Sequence, residues 1–250
     1  MSQSGLRVAV VDDGGDDRDG RRLRAAIEDD GGRLSDPSDA DAVVTVGERA
    51  LVEAAIGESG PGGSEPAVDR PPILPVGSGR YAVARPSASD AIRQLLSGAG
   101  RSVEHPLLSV SLDGDRVGRA VFDVAIVTDE PARISEYRAA FPSEHEASVR
   151  SDAIVVATPL GSDGYAGAAG GPTIDPGAGL SVVPVAPFTT GAETWVADGA
   201  VTLSVERDEE PVSLVVDDER RERVPPHEPV RVTAHERMEL LSVPATRGDW

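Results

Sequence analysis

Apolar and polar positions alternate in two different rhythms along this chain. Residues 6–11 (LRVAVV), 41–46 (DAVVTV) and 73–76 (ILPV) are short, aliphatic and largely β-branched, the pattern of strands buried on both faces. Between them the period lengthens. In 21–30 (RRLRAAIEDD) Leu23, Ala26 and Ile27 recur at helical spacing, and Gly31-Gly32 is a stop signal. Residues 50–56 (ALVEAAI) and 89–97 (SDAIRQLLS) read as two further helices, the second with Ser89 and Asp90 suited to its N-terminus. Strand–helix alternation predicts parallel pairing and a doubly wound, Rossmann-like α/β domain over residues 1–98. Ligands of such sheets sit beyond the carboxyl ends of the strands, which directs attention to the loop after Val46. The acidic, glycine-rich stretch 12–20 reads as a loop, and the Pro/Gly-rich stretch 59–72 as a surface connection.

After residue 98 the helical rhythm stops. Segments 107–112, 116–128, 154–157, 180–184, 194–196, 201–205, 212–216, 230–234 and 238–243 are all strand-like, with Asp113-Gly114 as a hairpin signal. No helix is predicted, so residues 99–250 form an all-β domain.

Composition narrows the chemistry. The hydrophobic fraction is 39% but aromatics are only 3%, so the core must be built from small aliphatic side chains. Acidic residues number 43 against 24 basic ones, all arginine, for a formal charge of -19. Such Lys-free, acid-rich chains suit high-salt cytoplasm, where carboxylates hold water and salt screens their repulsion. Nucleic acid is not an expected partner, because no basic patch stands ready to release counterions from phosphates. Cysteine is absent, which removes disulfides, thiol catalysis and Cys-based zinc sites. His105, His145, His227 and His235 show no metal-binding spacing, and no apolar run is long enough to span a bilayer. A cytoplasmic protein is expected.

The densest signal lies at 158–172 (TPLGSDGYAGAAGGP). It follows a buried strand and packs five glycines and two prolines around one large side chain, Tyr165. Such a run is poor core material and suits a place where backbone approaches a ligand. It closely resembles the TPTGSTAY…SAGGP signature of the NAD kinase family, matching at Thr158, Pro159, Gly161, Ser162, Tyr165, Ala169, Gly170, Gly171 and Pro172. The order of an α/β half followed by a β half agrees. The resemblance implies phosphoryl transfer to the adenosine ribose 2′-hydroxyl of NAD, giving NADP, with ATP or polyphosphate and Mg²⁺ as donor. It also implies an adenine dinucleotide bound largely by the β domain, and a homo-oligomer, dimer or tetramer, formed through that domain.

The family's catalytic Asp lies in a GGDG motif after the second strand; here that place reads Val46-Gly47-Glu48-Arg49. Glu48 keeps a carboxylate that can serve as general base, and Arg49 brings a phosphate-binding guanidinium. Val46 and Arg49 add bulk where phosphate would approach. An Asn-Glu pair of the family falls on Phe122-Asp123, its next asparagine on Gly77, its TPIxPH histidine on Phe188 and its Asp-Gly on Asp217-Asp218. Leu160 and Asp163 replace two threonines of the glycine-rich signature. By resemblance, substrate contacts are assigned to Arg49, Asp123, Arg150, Asp152, Gly161, Ser162, Asp163, Tyr165 and Ala168. No dedicated metal site is expected. Two functional readings remain at this stage, a NAD kinase with a reshaped motif and a relative that only binds adenine nucleotide as a regulatory or partner subunit. A lipid or diacylglycerol kinase shares the general fold but not the 158–172 signature. Glu48-Arg49 also reads simply as a helix start, with Glu favoured by the helix dipole.

Overall fold

The computed structural model describes residues 5–14, 18–57, 70–77, 79–130, 133–189, 191–208 and 210–244. The chain divides into two units, one made of Met1–Glu58, Ala67–His105 and Met238–Trp250, the other of Ser59–Pro66 and Pro106–Arg237.

The first unit is α/β. Strand β1 (Arg7–Asp12) is followed by helix α1 (Arg18–Asp29), the short strand β2 (Arg33–Leu34), β3 (Ala42–Val46), α2 (Glu48–Ile56), β4 (Ile73–Val76) and α3 (Ala88–Leu96). The strands are parallel in the order β2-β1-β3-β4, and the chain's final strand adds beside β4 through the pairing of Leu240 with Ile73. Every residue of β3 and β4 is buried, as a sheet covered on both faces requires. Leu23 and Ile27 of α1 and Ala88, Ala91, Ile92 and Leu95 of α3 form the stripes that join the core around Val44, Val46 and Leu74. Helix α1 starts at Arg18, inside the stretch expected to be loop; residues 15–17 of that stretch and 59–69 of the expected surface connection lie outside the described residues.

The second unit is a β-sandwich. It is built from β5 (Arg101–Leu112, from Pro106 on), β6 (Asp115–Ala120), β7 (Asp123–Thr128), β8 (Ser135–Ala140), β9 (Glu146–Ser151), β10 (Ala153–Ala157), β11 (Leu180–Val185), β12 (Trp195–Ala197), β13 (Ala200–Arg207), β14 (Val212–Val216), β15 (Glu219–Arg223) and β16 (Val230–Ser242, to Arg237). One sheet runs β9-β8-β13-β16-β5-β6, the other β12-β11-β10-β7-β14-β15. Alternation turns Leu108, Val110, Val124, Ile126, Ile154, Val156, Leu203 and Val232 into one shared core, which also holds the fully buried Tyr137. The Tyr137 hydroxyl lies 2.7 Å from Thr128 Oγ1 and donates to the Asp152 carbonyl at 3.2 Å; burial raises its pKa.

Four expectations for this unit are corrected. The single strand over 116–128 is two strands, broken at Val121-Phe122, and the two strands after residue 230 are one. Strands β8, β9 and β15 were not expected. Nor was α4 (Tyr165–Ala168), one helical turn inside the glycine-rich segment. The Asp113-Gly114 hairpin is present, with both residues at positive φ as a primed turn requires.

Candidate functional site

The candidate residues fall in two sets, one in each unit. In the α/β unit the carboxyl ends of β1, β3 and β4 deliver Asp13, Gly47 and Gly77 to one edge of the sheet. The Gly47 N–H donates to the Val76 carbonyl at 2.9 Å and the Gly77 N–H to that of Val83 at 2.9 Å. Gly47 takes φ of 95° and N-caps α2. The Asp13 carboxylate stands directly over it: Oδ1 accepts the Ala50 N–H at 2.5 Å, and a Cβ on Gly47 would collide with Oδ2. Asp13 therefore satisfies an N-terminal amide of α2, while glycine leaves it the room to do so. Val46 is buried in the core, so its bulk is absorbed away from the loop. Glu48 and Arg49 open α2 exposed to solvent, with no hydrogen-bond or ion-pair partner among the described residues.

In the β unit the site is built on the outward face of β7, β10 and β11. Inward residues of these strands alternate with Ala125, Val155, Ala157 and Val183, a floor of small side chains on which Ala166 of α4 packs. Asp123 begins β7 opposite Ala157, and Asp152 precedes β10. Five residues of strand separate the two ends, about 16 Å at a strand's rise per residue. Tyr165, half-exposed at the start of α4, feels both carboxylates. Its phenol pKa is raised first by partial burial and then by the charges of Asp152 and Asp123. The Arg150 guanidinium lies 5.8 Å from the centre of the Phe188 ring, a cation–π contact. Asp123, Asp152 and Tyr165 thus lie near one another, whereas Arg150 stands on β9 of the other sheet, beside a core-facing Val149. Asp163 and Ala168 are exposed beside them on the loop and α4. Phe122, which stands where the family's asparagine would, is half-buried.

The glycine-rich segment is held mainly by contacts with its own chain. A Cβ on Gly161 would drive into the Phe122 carbonyl oxygen. That oxygen accepts the Thr158 N–H at 2.8 Å, and Thr158 Oγ1 donates to the Val121 carbonyl at 2.7 Å. Ser162 is buried; its Oγ donates to the Pro159 carbonyl at 2.9 Å and accepts the Ile174 N–H at 3.2 Å. The glycine at 161 thus serves a close approach of backbone to backbone, and the Ser162 hydroxyl locks the turn.

Sequence reasoning placed Asp217 at a family position but gave it no role, and it is the residue that fixes this junction. The Asp217 carboxylate accepts the N–H groups of Val121 at 2.7 Å, Phe122 at 2.8 Å and Asp123 at 3.1 Å. These are the amides freed where the expected single strand breaks. Burial pushes the Asp217 carboxyl up to about 6, and the Asp218 charge adds to the rise, while the three N–H donors pull the other way. Its signal was the Asp-Asp pair between two strand-like runs, a turn composition in which an Asp can hydrogen-bond backbone.

Residues 122–242 match the family model of the ATP-NAD kinase C-terminal domain. That stretch is similar to the C-terminal domain of NAD kinases. The match contains the whole 158–172 segment together with Asp123, Arg150, Asp152 and Asp217. A NAD kinase of Methanosarcina acetivorans is 31% identical over 148 residues, covering 58% of this chain and 54% of that protein. The chain thus spans about half the length of the curated relatives it matches first. Among NAD kinase-type structures, yeast NADH kinase complexed with NADH superposes with a TM-score of 0.76 at 13% identity, covering 97% of this chain and 85% of that one. An NAD kinase from Archaeoglobus fulgidus in complex with ATP gives 0.69 at 18% identity, covering 96% and 95%. At these identities the two superpositions speak for the fold alone.

Proposed function

We propose that the chain transfers a phosphoryl group to the 2′-hydroxyl of the adenosine ribose of NAD, giving NADP, with ATP or polyphosphate as donor. The observation that carries this reading is the family match over the β unit, where Asp123, Asp152 and Tyr165 flank a floor of small side chains. A carboxylate beside a dinucleotide grips ribose hydroxyls, and the two acids supply that chemistry. Glu48 takes the proton of the attacking hydroxyl, and Arg49 attracts the donor's phosphates. Arg150 and the loop residues Gly161, Ser162, Asp163 and Ala168 line or shape the dinucleotide side. No cluster of three or more His, Asp or Glu side chains able to hold a metal occurs among the described residues. Mg²⁺ carried on the donor's phosphates needs no such cage, and there it neutralises charge developing on the transferred group. Nothing observed favours a chain reduced to nucleotide binding alone.

We place the protein in the cytoplasm of a salt-rich cell, on the -19 charge and the absence of lysine. We also read it as a homo-oligomer, dimer or tetramer, joined through the β unit, where Phe188 and Val196 are 73% and 51% exposed.

The test is incubation with NAD and either ATP plus Mg²⁺ or polyphosphate in molar KCl. NADP is expected from at least one donor; none from either would overturn the proposal. The salt reading has its own measurement. The melting temperature should climb as KCl is raised from tenth-molar to molar levels, because screening relieves repulsion among the acids. A melting temperature indifferent to KCl would sink it.

A further inference from the structure

The other sheet of the β unit carries a concave site. Along β16, Val230, Val232 and Ala234 face the core, so Arg231, Thr233 and His235 form a row on the outward face. Along β5, Leu108, Val110 and Leu112 face in, and Ser109 and Ser111 face out; Arg116 of β6 is the register partner of Ser111. Side chains of these two rows and Arg116 line an open cavity of about 320 Å³. An ordinary solvated sheet face of this chain would be acidic, since acids outnumber arginines 43 to 24. This lining has two arginines, a histidine and three hydroxyls, and no carboxylate.

These donors are also available. Arg231 and His235 have no hydrogen-bond or ion-pair partner among the described residues. The carboxylate bordering the cavity is Glu236, and its charge is divided. One oxygen accepts Arg119 at 3.1 Å; the other accepts Ser109 Oγ at 3.3 Å and lies 3.4 Å from Arg116. Arg119 is buried, so much of the Glu236 charge is spent on it. What is left facing the cavity is a net positive set of donors: guanidinium forks, hydroxyls and an imidazole, and no lining group that only accepts. Arginine forks bind phosphate oxygens bidentately, and hydroxyls complete such a shell. The volume is that of a small-molecule site, larger than one phosphate needs.

We propose that this cavity binds a multiply charged phosphate chain, either inorganic polyphosphate or the phosphates of a nucleotide. It lies on the outward face of its sheet, with the sandwich core between it and the outward face of β7, β10 and β11.

The experiment is calorimetric titration of the full chain with inorganic phosphate, tripolyphosphate and ATP at constant ionic strength, for wild type, Arg231→Glu and Arg116→Ser. Melting curves confirm that each variant is folded. Wild type should bind tripolyphosphate or ATP at one site that Arg231→Glu weakens at least tenfold and Arg116→Ser weakens less, with NADP formation unchanged in both. Preference for tripolyphosphate identifies the inorganic chain, and preference for ATP the nucleotide. Equal affinity in wild type and Arg231→Glu would overturn the proposal. So would loss of binding and of NADP formation together, which would assign the anion to the transfer site. Arg231-dependent binding in a chain that makes no NADP would uphold this site while rejecting the proposed reaction.

Discussion

Asp217→Ala is expected to lower the melting temperature by about 6–12 °C. The side chain accepts three successive backbone N–H groups, of Val121, Phe122 and Asp123. Alanine leaves them without an acceptor at a buried strand junction. A buried unmet donor costs about 1–3 kcal/mol. Phe122 is half-buried and can recover water, so the sum is nearer about 3 kcal/mol than three full penalties, and each kcal/mol is about 2–4 °C in a domain of this size. The damage should spread to the dinucleotide face, because the Phe122 carbonyl anchors Thr158 and Gly161 sits against it. Asp217→Asn is the milder change. Its remaining oxygen can keep Phe122 and Asp123, while its amide faces the Val121 N–H donor to donor.

The same residue sets a pH dependence. Its folded carboxyl is raised from 3.8 to about 6. A raised acid stabilises the fold most below the unfolded value, where both states hold the proton. That contribution is lost as pH climbs through 6, because the unfolded chain ionises freely and the folded one does so at a cost. At about 1.4 kcal/mol per pH unit the loss is at most about 3 kcal/mol between pH 4 and 7. Asn does not titrate, so the penalty of Asp217→Asn should be larger at pH 4 than at pH 7. Parallel melting-temperature curves for wild type and Asp217→Asn over that range would refute the assignment.

The α/β unit was legible because its strands are pure aliphatic runs and its helices carry clean stripes; the span 73–76 agrees with β4 to the residue. The β unit was legible as a class but not in detail. Strand β8 (SEYRAA) does alternate, with Ser135, Tyr137 and Ala139 buried, but two of those three are small and the half-buried residues between them are helix-formers. Strand β15 (ERRER) is exposed at every position; it is a charged edge, recognisable only through its partner β14. The break at Val121-Phe122 was invisible because its cause, Asp217, lies 95 residues from Phe122 in sequence. Asp13 is a similar case, reaching Ala50 across 37 positions. In the glycine-rich segment the residue types were read correctly while the physical reason shifted. Gly161 meets a carbonyl of its own chain, and the ligand contacts we propose fall instead on Asp123, Asp152 and Tyr165.

Glu48→Ala is expected to slow NADP formation by about 10²–10⁴-fold, the usual worth of a positioned general base. The competing account of Glu48 is modest and separately measurable. As the first residue of α2 it sits at the positive end of the helix dipole, an exposed placement worth about 0.3–1 kcal/mol. A purely structural Glu48 would therefore show up as a fall of about 1–4 °C in melting temperature, with turnover untouched. Three replacements separate the roles. Glu48→Gln keeps size and polarity but cannot take a proton, so kcat should fall as far as in Glu48→Ala while KM for NAD stays near wild type. Glu48→Asp restores the family's own residue on a side chain one methylene shorter, and should retain most of the activity. If Glu48→Gln turns over normally, the base is elsewhere and Glu48 only begins a helix. The carboxylate is free to act in the required way: it is exposed, it has no partner among the described residues, and the amide of Ala50 that it could have capped is already held by Asp13.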